Sequence, residues 1–238
     1  MDKDRTLTVK GTGNLEIRPD QVEILLTIEA KDKDYEKSVE KTEESVEDLT
    51  DALIEIGFDK TSLKTSNWQC EQVFNNVQTT KKVKGKEVTE WQDVFDCYKT
   101  THKLKLVFGI EEKALPVVIG AIAGCESVPE FEVKFTIKDK TAAAGSLLAE
   151  ATKNAKMKAQ IIADAAEIKL GAPVTVQYDW NEYHFYSDTH YSPVTTRNMR
   201  AGGQAYCQTQ NFLRSYNHSI EPENIRLRDT VTITWEIE

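Results

Sequence analysis

Cysteine is scarce in this 238-residue chain, and long apolar runs are missing altogether. The four cysteines, Cys70, Cys97, Cys125 and Cys207, include no CxxC pair, so neither a disulfide framework nor a zinc ribbon is expected. Cys70 and Cys97 would lie nearly opposite each other in a hairpin turning near residues 83–85. That geometry permits a bond, but thiols are expected in a reducing compartment. No window approaches the roughly 18 apolar residues of a membrane span. The apolar stretch from Ala114 to Gly124 is too short and contains Pro116. The opening Met1-Asp-Lys-Asp-Arg5 runs straight into Thr6-Leu-Thr-Val9 without the apolar segment of a signal peptide, so the expected location is the cytoplasm.

Positive charge is also in short supply: 30 Lys and Arg face 39 Asp and Glu, a net charge of -9. An acidic surface repels phosphate backbones and anionic membranes, which disfavours both as partners. The one basic cluster, Lys81, Lys82, Lys84 and Lys86 around Gly85, reads as a solvated hairpin tip. Apolar residues at 39% and charged residues at 29% suit a globular protein and exclude global disorder. The chain is read as one domain over residues 1–238, although its length also allows two small ones.

Catalytic signatures are equally sparse. There is no Gly-x-Ser-x-Gly elbow, and no cysteine lies beside a histidine in sequence. Gly11-Thr12-Gly13 lacks the third glycine and the following helix of a dinucleotide fingerprint. The chain has four histidines: His102, His184, His190 and His218. His184, Asp188 and His190 lie close together and could hold a divalent metal, but their spacing matches no known ligand motif. Tyr183, Tyr186 and Tyr191 interleave with them, which favours aromatic contact with a partner. No catalytic, cofactor-binding or metal-binding residue is therefore assigned, and no cofactor is expected.

Periodicity organises the rest. Leu7, Val9, Leu15 and Ile17 alternate, with Gly11 and Gly13 on the same parity, as in a strand with a bulge or a close backbone approach. After a turn at Pro19-Asp20, Val22, Ile24, Leu26 and Ile28 form a half-buried strand. Tyr35, Val39, Val46, Leu49, Leu53 and Ile56 make one helical stripe, opposite an acidic face of Glu40, Glu43, Glu44, Glu47, Asp48 and Asp51. Asp34 can cap that helix and Gly57 can end it. Residues 64–80 and 88–108 read as two long strands around the lysine tip.

A short helix from about Glu111 to Ala123 follows, and then a strand through Phe131, Val133, Phe135 and Ile137. A second long helix runs from about Lys140 to Ile168. Its expected stripe is Leu148, Ala151, Ala155, Ala159, Ile162 and Ala166, with Gly171 as its stop and Pro173 behind. Strands through Val174, Val176 and Tyr178, and through Val231, Ile233, Trp235 and Ile237, complete the pattern. Between them lies an aromatic, polar excursion at about 179–222, a length that usually signals a functional loop. The expected fold is α+β, mostly antiparallel sheet with two long helices and one short helix packed against it.

Several blocks, in this order, resemble the SIMPL family. They are Leu7-Thr-Val-Lys-Gly-Thr-Gly13 with Pro19-Asp20, Asp51-Ala-Leu-Ile-Glu-Ile-Gly57 with Lys64-Thr-Ser66, and Ala151, Ala155, Lys158, Ala159, Ala163 with Leu170-Gly171. The last is Ile220-Glu-Pro-Glu-Asn-Ile225 with the closing strand. The resemblance covers the chain apart from residues 179–219 and the lysine tip. Two departures stand out: the aromatic-rich segment before the second long strand is altered, and the export signal common in the family is not seen. The resemblance implies a SIMPL-like α+β fold and no established catalytic set. Its members are associated with envelope or stress-related roles in bacteria and a eukaryotic relative with binding a signalling kinase, and some bacterial relatives resemble ring-forming assemblies. The functional expectation is a non-enzymatic binding or self-assembling protein, a homo-oligomer with the 179–222 loop available to a protein partner. The alternatives are a metal-dependent enzyme built on His184, Asp188 and His190, and a protein-partner adaptor.

Overall fold

The structure, a computed structural model, describes residues 5–83, 86–111, 114–127, 129–178, 183–189 and 221–238, with backbone alone at 80–83 and 86–89. In chain order the elements are β1 (Thr6–Ile17), β2 (Gln21–Asp32), α1 (Tyr35–Glu55), a 3-10 turn (Lys60–Ser62), β3 (Leu63–Val83) and β4 (Lys86–Gly109). Then come α2 (Leu115–Gly124), β5 (Glu130–Thr136), α3 (Lys140–Ala165), β6 (Leu170–Tyr178) and β7 (Ile225–Ile237). Among the described residues, three helices and two antiparallel sheets make this an α+β protein, as the periodicity predicts. The chain divides into two compact units. No helix among the described residues is long and apolar enough to cross a membrane.

The first unit comprises Met1–Gln21, Phe135–Thr189 and Glu221–Glu238. Its three-stranded sheet has the order β1-β7-β6. The β1–β7 register is unbroken from Thr6 opposite Glu236 to Ile17 opposite Ile225, so Gly11 and Gly13 mark a close approach and not a bulge. A Cβ on Gly11 would stand 2.1 Å from the Ala151 carbonyl oxygen and 2.5 Å from the Ala155 nitrogen, and one on Gly13 would stand 2.4 Å from the Leu147 carbonyl oxygen. The α3 backbone thus rests directly on β1, which only glycine below and small residues above allow.

This contact also corrects the expected stripe of α3. The buried residues are Ala143, Leu147, Ala151, Ala155, Ala159 and Ala163, whereas Leu148 is partly buried and Ile162 is exposed. A branched Ile162 between helix and sheet would hold the two apart, so the helix turns its strict four-residue alanine repeat inward. Two side chains from α3 then cap the outer edge of β1. Asn154 Oδ1 accepts from the Thr12 N–H at 3.0 Å, and Lys158 Nζ donates to the Lys10 carbonyl at 3.2 Å. The helix stop differs as well. Glu167 takes the left-handed position after the helix (φ 55°), and Gly171 and Pro173 belong to β6.

The described part of the second unit is Val22–Lys134, and its sheet has the order β3-β4-β2-β5. Val22, Ile24, Leu26 and Ile28 of β2, Leu104 and Leu106 of β4, and Leu49, Leu53, Val118 and Ile122 of the helices are all buried. Asp34 caps α1 by accepting from the Glu36 N–H at 3.0 Å, and Gly57 (φ 86°) ends it. In its first half the inward face is Ser38 and Thr42, while Tyr35 is exposed. The hydroxyls fit inside because each has a partner: Ser38 Oγ meets Thr100 Oγ1 at 2.8 Å, and Thr42 Oγ1 donates to the Ser38 carbonyl at 2.9 Å. Helix α2 begins at Leu115, later than expected, with Pro116 in its first turn, where a missing N–H costs nothing. Charged pairs on β2, β3 and β4 include Lys105 with the buried Glu23 at 2.7 Å, and Lys99 between Glu71 (3.1 Å) and Glu29 (3.4 Å).

Candidate functional site: an uncovered aromatic ribbon

Strands β3 and β4 pair from Leu63–Leu106 to Val83–Lys86, which places the turn at residues 84–85. The predicted hairpin and its tip position are therefore present; the side chains of the four lysines lie outside the described residues. The ion pairs put Glu23 level with Lys105 and Glu29 level with Lys99. Strand β2 ends at Asp32, so beyond about Cys97 the pair continues without β2 beside it. A two-stranded ribbon is marginal by itself in water, and its side chains need cover.

One register shift arranges those side chains. Phe74 opposes Phe95 but Val73 opposes Cys97, so Asp96 is an extra, bulged residue on β4. The bulge brings Phe95 and Tyr98 onto one face although three positions separate them. The rings form a continuous edge-to-face run: Phe74 to Phe95 at 5.9 Å between centroids, Phe95 to Tyr98 at 5.1 Å, and Tyr98 to Tyr35 of α1 at 5.8 Å. Helix α1 covers this face from Tyr35 onward and leaves the rest bare. Phe74 is 51% exposed and Trp91, opposite Gln78 on the same face, is 68% exposed. The reverse face carries Val77 and Val94, also exposed. Contiguous apolar surface on both faces of a ribbon is the pattern of an interaction site.

The turn position decides the cysteines. Cys70 opposes Thr100 and Cys97 opposes Val73, so the two are three rungs apart and do not face each other as the simple hairpin suggests. Cys70, Cys97 and Cys125 are free thiols; Cys207 lies outside the described residues. Thr100 Oγ1 donates to Cys70 Sγ at 3.3 Å beneath Ser38. Burial, with Asp96 beside it, pushes the Cys97 thiol up, and burial, with Asp48 nearby, pushes Cys125 up to about 12. Thiols held protonated in this way are poor nucleophiles.

A shallow pocket of about 280 Å³ lies against α1, lined by Glu43, Glu47, Asp51, Lys60 and His102. His102 Nε2 pairs with Thr65 Oγ1 at 2.8 Å, and desolvation lowers its pKa below the ordinary 6.5 despite Glu43. The imidazole is therefore neutral at pH 7, with a hydroxyl partner already in place.

Of the candidate metal ligands, His184 and Asp188 are exposed and His190 lies outside the described residues. The His184 ring leans against Tyr186 at 5.2 Å. No group of three His, Cys, Asp or Glu among the described residues is placed to hold a metal ion. The segment 183–189 instead ties the start of the excursion to the first unit. Tyr183 donates its hydroxyl to the carboxylate of Asp229, which is 1% exposed and also accepts from the Thr230 N–H at 2.7 Å. Burial and this bond raise the Tyr183 pKa. Thr136 Oγ1 donates to the Phe185 carbonyl at 2.6 Å, and Ser187 N–H to the Phe135 carbonyl at 2.9 Å. Ser187 Oγ reaches the Glu223 carbonyl at 2.7 Å, which closes the two ends of the excursion together. Periodicity carried no signal for Asp229; a lone acid between strand residues looks solvent-facing until Tyr183 is brought to it.

A search of curated proteins gave no match. The family model named SIMPL, described as a protein of unknown function (DUF541), matches residues 7–235 and so spans both units. With nearly the whole chain covered, this protein belongs to the SIMPL family.

Proposed function

We propose that this protein is a non-enzymatic binding and self-assembling protein, a homo-oligomer that takes a protein partner on the β3–β4 ribbon. The observation that carries the reading is the Phe74–Phe95–Tyr98 run with Trp91 beyond it, left bare where α1 begins. Exposed aromatic side chains of this kind dominate protein interfaces because each hides a large area at little rotamer cost. The net charge of -9 supports a protein partner over a phosphate-rich one.

A photo-crosslinking phenylalanine analogue at position 74 tests this in cells. The expected result is a discrete protein adduct that weakens strongly in Trp91→Ser. The same analogue at Glu40, on the solvated face of α1, is the background. An adduct pattern at position 74 no different from that at position 40 would remove the ribbon as a binding surface.

A further inference from the structure

On the aromatic face of the ribbon, β4 presents Trp91, Asp93 and Phe95 in one column, and β3 sets Gln78, Asn76 and Phe74 opposite them. No register shift falls among these pairs, so successive members of the column stand about 7 Å apart. A carboxylate is thus held between two rings, Trp91 at 68% exposure and Phe95 at 40%, and is itself exposed. An acid on a strand surface is ordinarily left to water. This one is set apart by a ring on either side and an amide bound to it.

The amide decides which groups are on offer. Asn76 Nδ2 donates to Asp93 Oδ1 at 3.0 Å, which leaves Asp93 Oδ2 and Asn76 Oδ1 as acceptors without a protein partner among the described residues. Two neighbouring acceptors, one of them charged, suit the parallel N–H groups of a guanidinium. A guanidinium is also planar and weakly hydrated and stacks on aromatic rings, whereas an ammonium is a compact, strongly hydrated charge. Rings attract a cation that comes within about 6 Å of their centroids, and the column puts one ring on each side of Asp93. The surroundings add to this. Residues 70–79 and 90–99 carry Glu71, Glu90, Asp93 and Asp96 against a single base, Lys99, which is already shared between Glu71 and Glu29. Charge complementarity therefore selects a basic occupant. We propose that the protein partner of the ribbon presents an arginine to Asp93, from an extended segment whose apolar residues lie on Trp91 and on the Phe74–Phe95 pair.

Spacing fixes the pattern of that segment. Side chains on one face of an extended peptide recur every second residue, about 7 Å apart, which is the spacing of the column itself. The segment should therefore read apolar-x-Arg-x-apolar, the arginine on Asp93 and the apolar residues over the rings. The column is ring, acid, ring, so the pattern is the same for either direction of the peptide. This inference rests on the reading of the ribbon as a protein-binding surface and narrows it to one side-chain chemistry.

Random nonapeptides displayed on phage and panned on the full chain provide the test, with Asp93→Asn panned in parallel. The expected result is enrichment of arginine with an apolar residue two positions away, on the wild type alone. A synthetic copy of the most enriched peptide should bind Asp93→Asn about tenfold or more weakly than wild type, and its affinity should fall as salt rises. Exchanging its arginine for citrulline, which keeps the shape and drops the charge, should cost as much and tests the pair without altering the chain. Exchange for lysine should also weaken it. Enriched peptides without arginine, equal binding to Asp93→Asn, or lysine as good as arginine overturns the proposal. If such peptides still lose binding in Trp91→Ser, the ribbon remains a binding surface and only the arginine chemistry falls. Peptides that bind equally well to Trp91→Ser and to Phe74→Ala remove the ribbon reading as well. No enrichment on the wild type overturns the proposal, and the adduct at position 74 then decides the ribbon reading separately.

Discussion

Replacing Gly11 with alanine places one methyl group between β1 and α3. That carbon would begin 2.1 Å from a helix carbonyl oxygen and 2.5 Å from a helix nitrogen, whereas ordinary contact starts near 3.4 Å. The obstacle is backbone, so no side chain can rotate aside and α3 must retreat by more than an ångström. Overpacking of a core costs about 1–3 kcal/mol even where side chains can adjust. The retreat also stretches the Asn154 and Lys158 clamps on Thr12 and Lys10, each worth about 0.5–1.5 kcal/mol. Together these give an expected loss of about 2–6 kcal/mol. Gly145, exposed on α3 with nothing within 4 Å of a built Cβ, is the control. The same substitution there should stabilise by roughly 0.5–1 kcal/mol through helix propensity. Urea unfolding followed by circular dichroism measures both; a change of this size in Gly11→Ala moves the midpoint by about 1 M or more at typical slopes. Adding Ala155→Gly should restore little, since the nearer contacts are to backbone. A Gly11→Ala variant within 1 kcal/mol of wild type, or a destabilised Gly145→Ala, would refute the close-approach reasoning.

Other consequences are as direct. Tyr183→Phe takes a donor from the buried Asp229 carboxylate and should cost about 1–3 kcal/mol, read by thermal unfolding, with faster amide exchange across 183–189. Because burial and Asp229 raise the Tyr183 pKa, the folded state favours the phenol. Its contribution is intact below about pH 10 and is lost as pH rises beyond, and ultraviolet titration should show this tyrosine ionising after the others. His102 has the opposite shift. Its folded pKa lies below 6.5, so the folded state binds fewer protons, and its contribution, present above pH 6.5, falls away as pH drops through the folded value. Thermal melts of wild type and His102→Gln should converge in that range, and an NMR titration midpoint at or above 6.5 would contradict it. Alkylation without reductant should recover both Cys70 and Cys97 modified once the chain is unfolded, while Cys125 in the folded protein reacts far more slowly than Cys70.

The surface reading of the sequence succeeded where chemistry repeats with a period. Alternation located β1, β2, β4 and β7, and the Asp34 and Gly57 signals bounded α1, because local sterics and hydration act on each segment alone. The errors share a different origin. The α3 face turned on what lies beneath it, since Gly11 and Gly13 admit alanine and reject Ile162. Gly171 looked like a helix stop, but Glu167 filled that position. The ribbon strands were visible, yet Asp96 gave no sign that it would bulge, and that one residue aligns Phe95 with Tyr98.

Composition and periodicity by themselves determined that this chain builds an α+β protein from short-range rules, with an acidic surface and few thiols. Only the tertiary structure decided which surfaces remain uncovered, above all the aromatic ribbon past the end of β2. Exposure depends on which neighbour arrives over a segment. That neighbour is set by backbone approach distances and strand register, both long-range quantities that no local window of sequence contains.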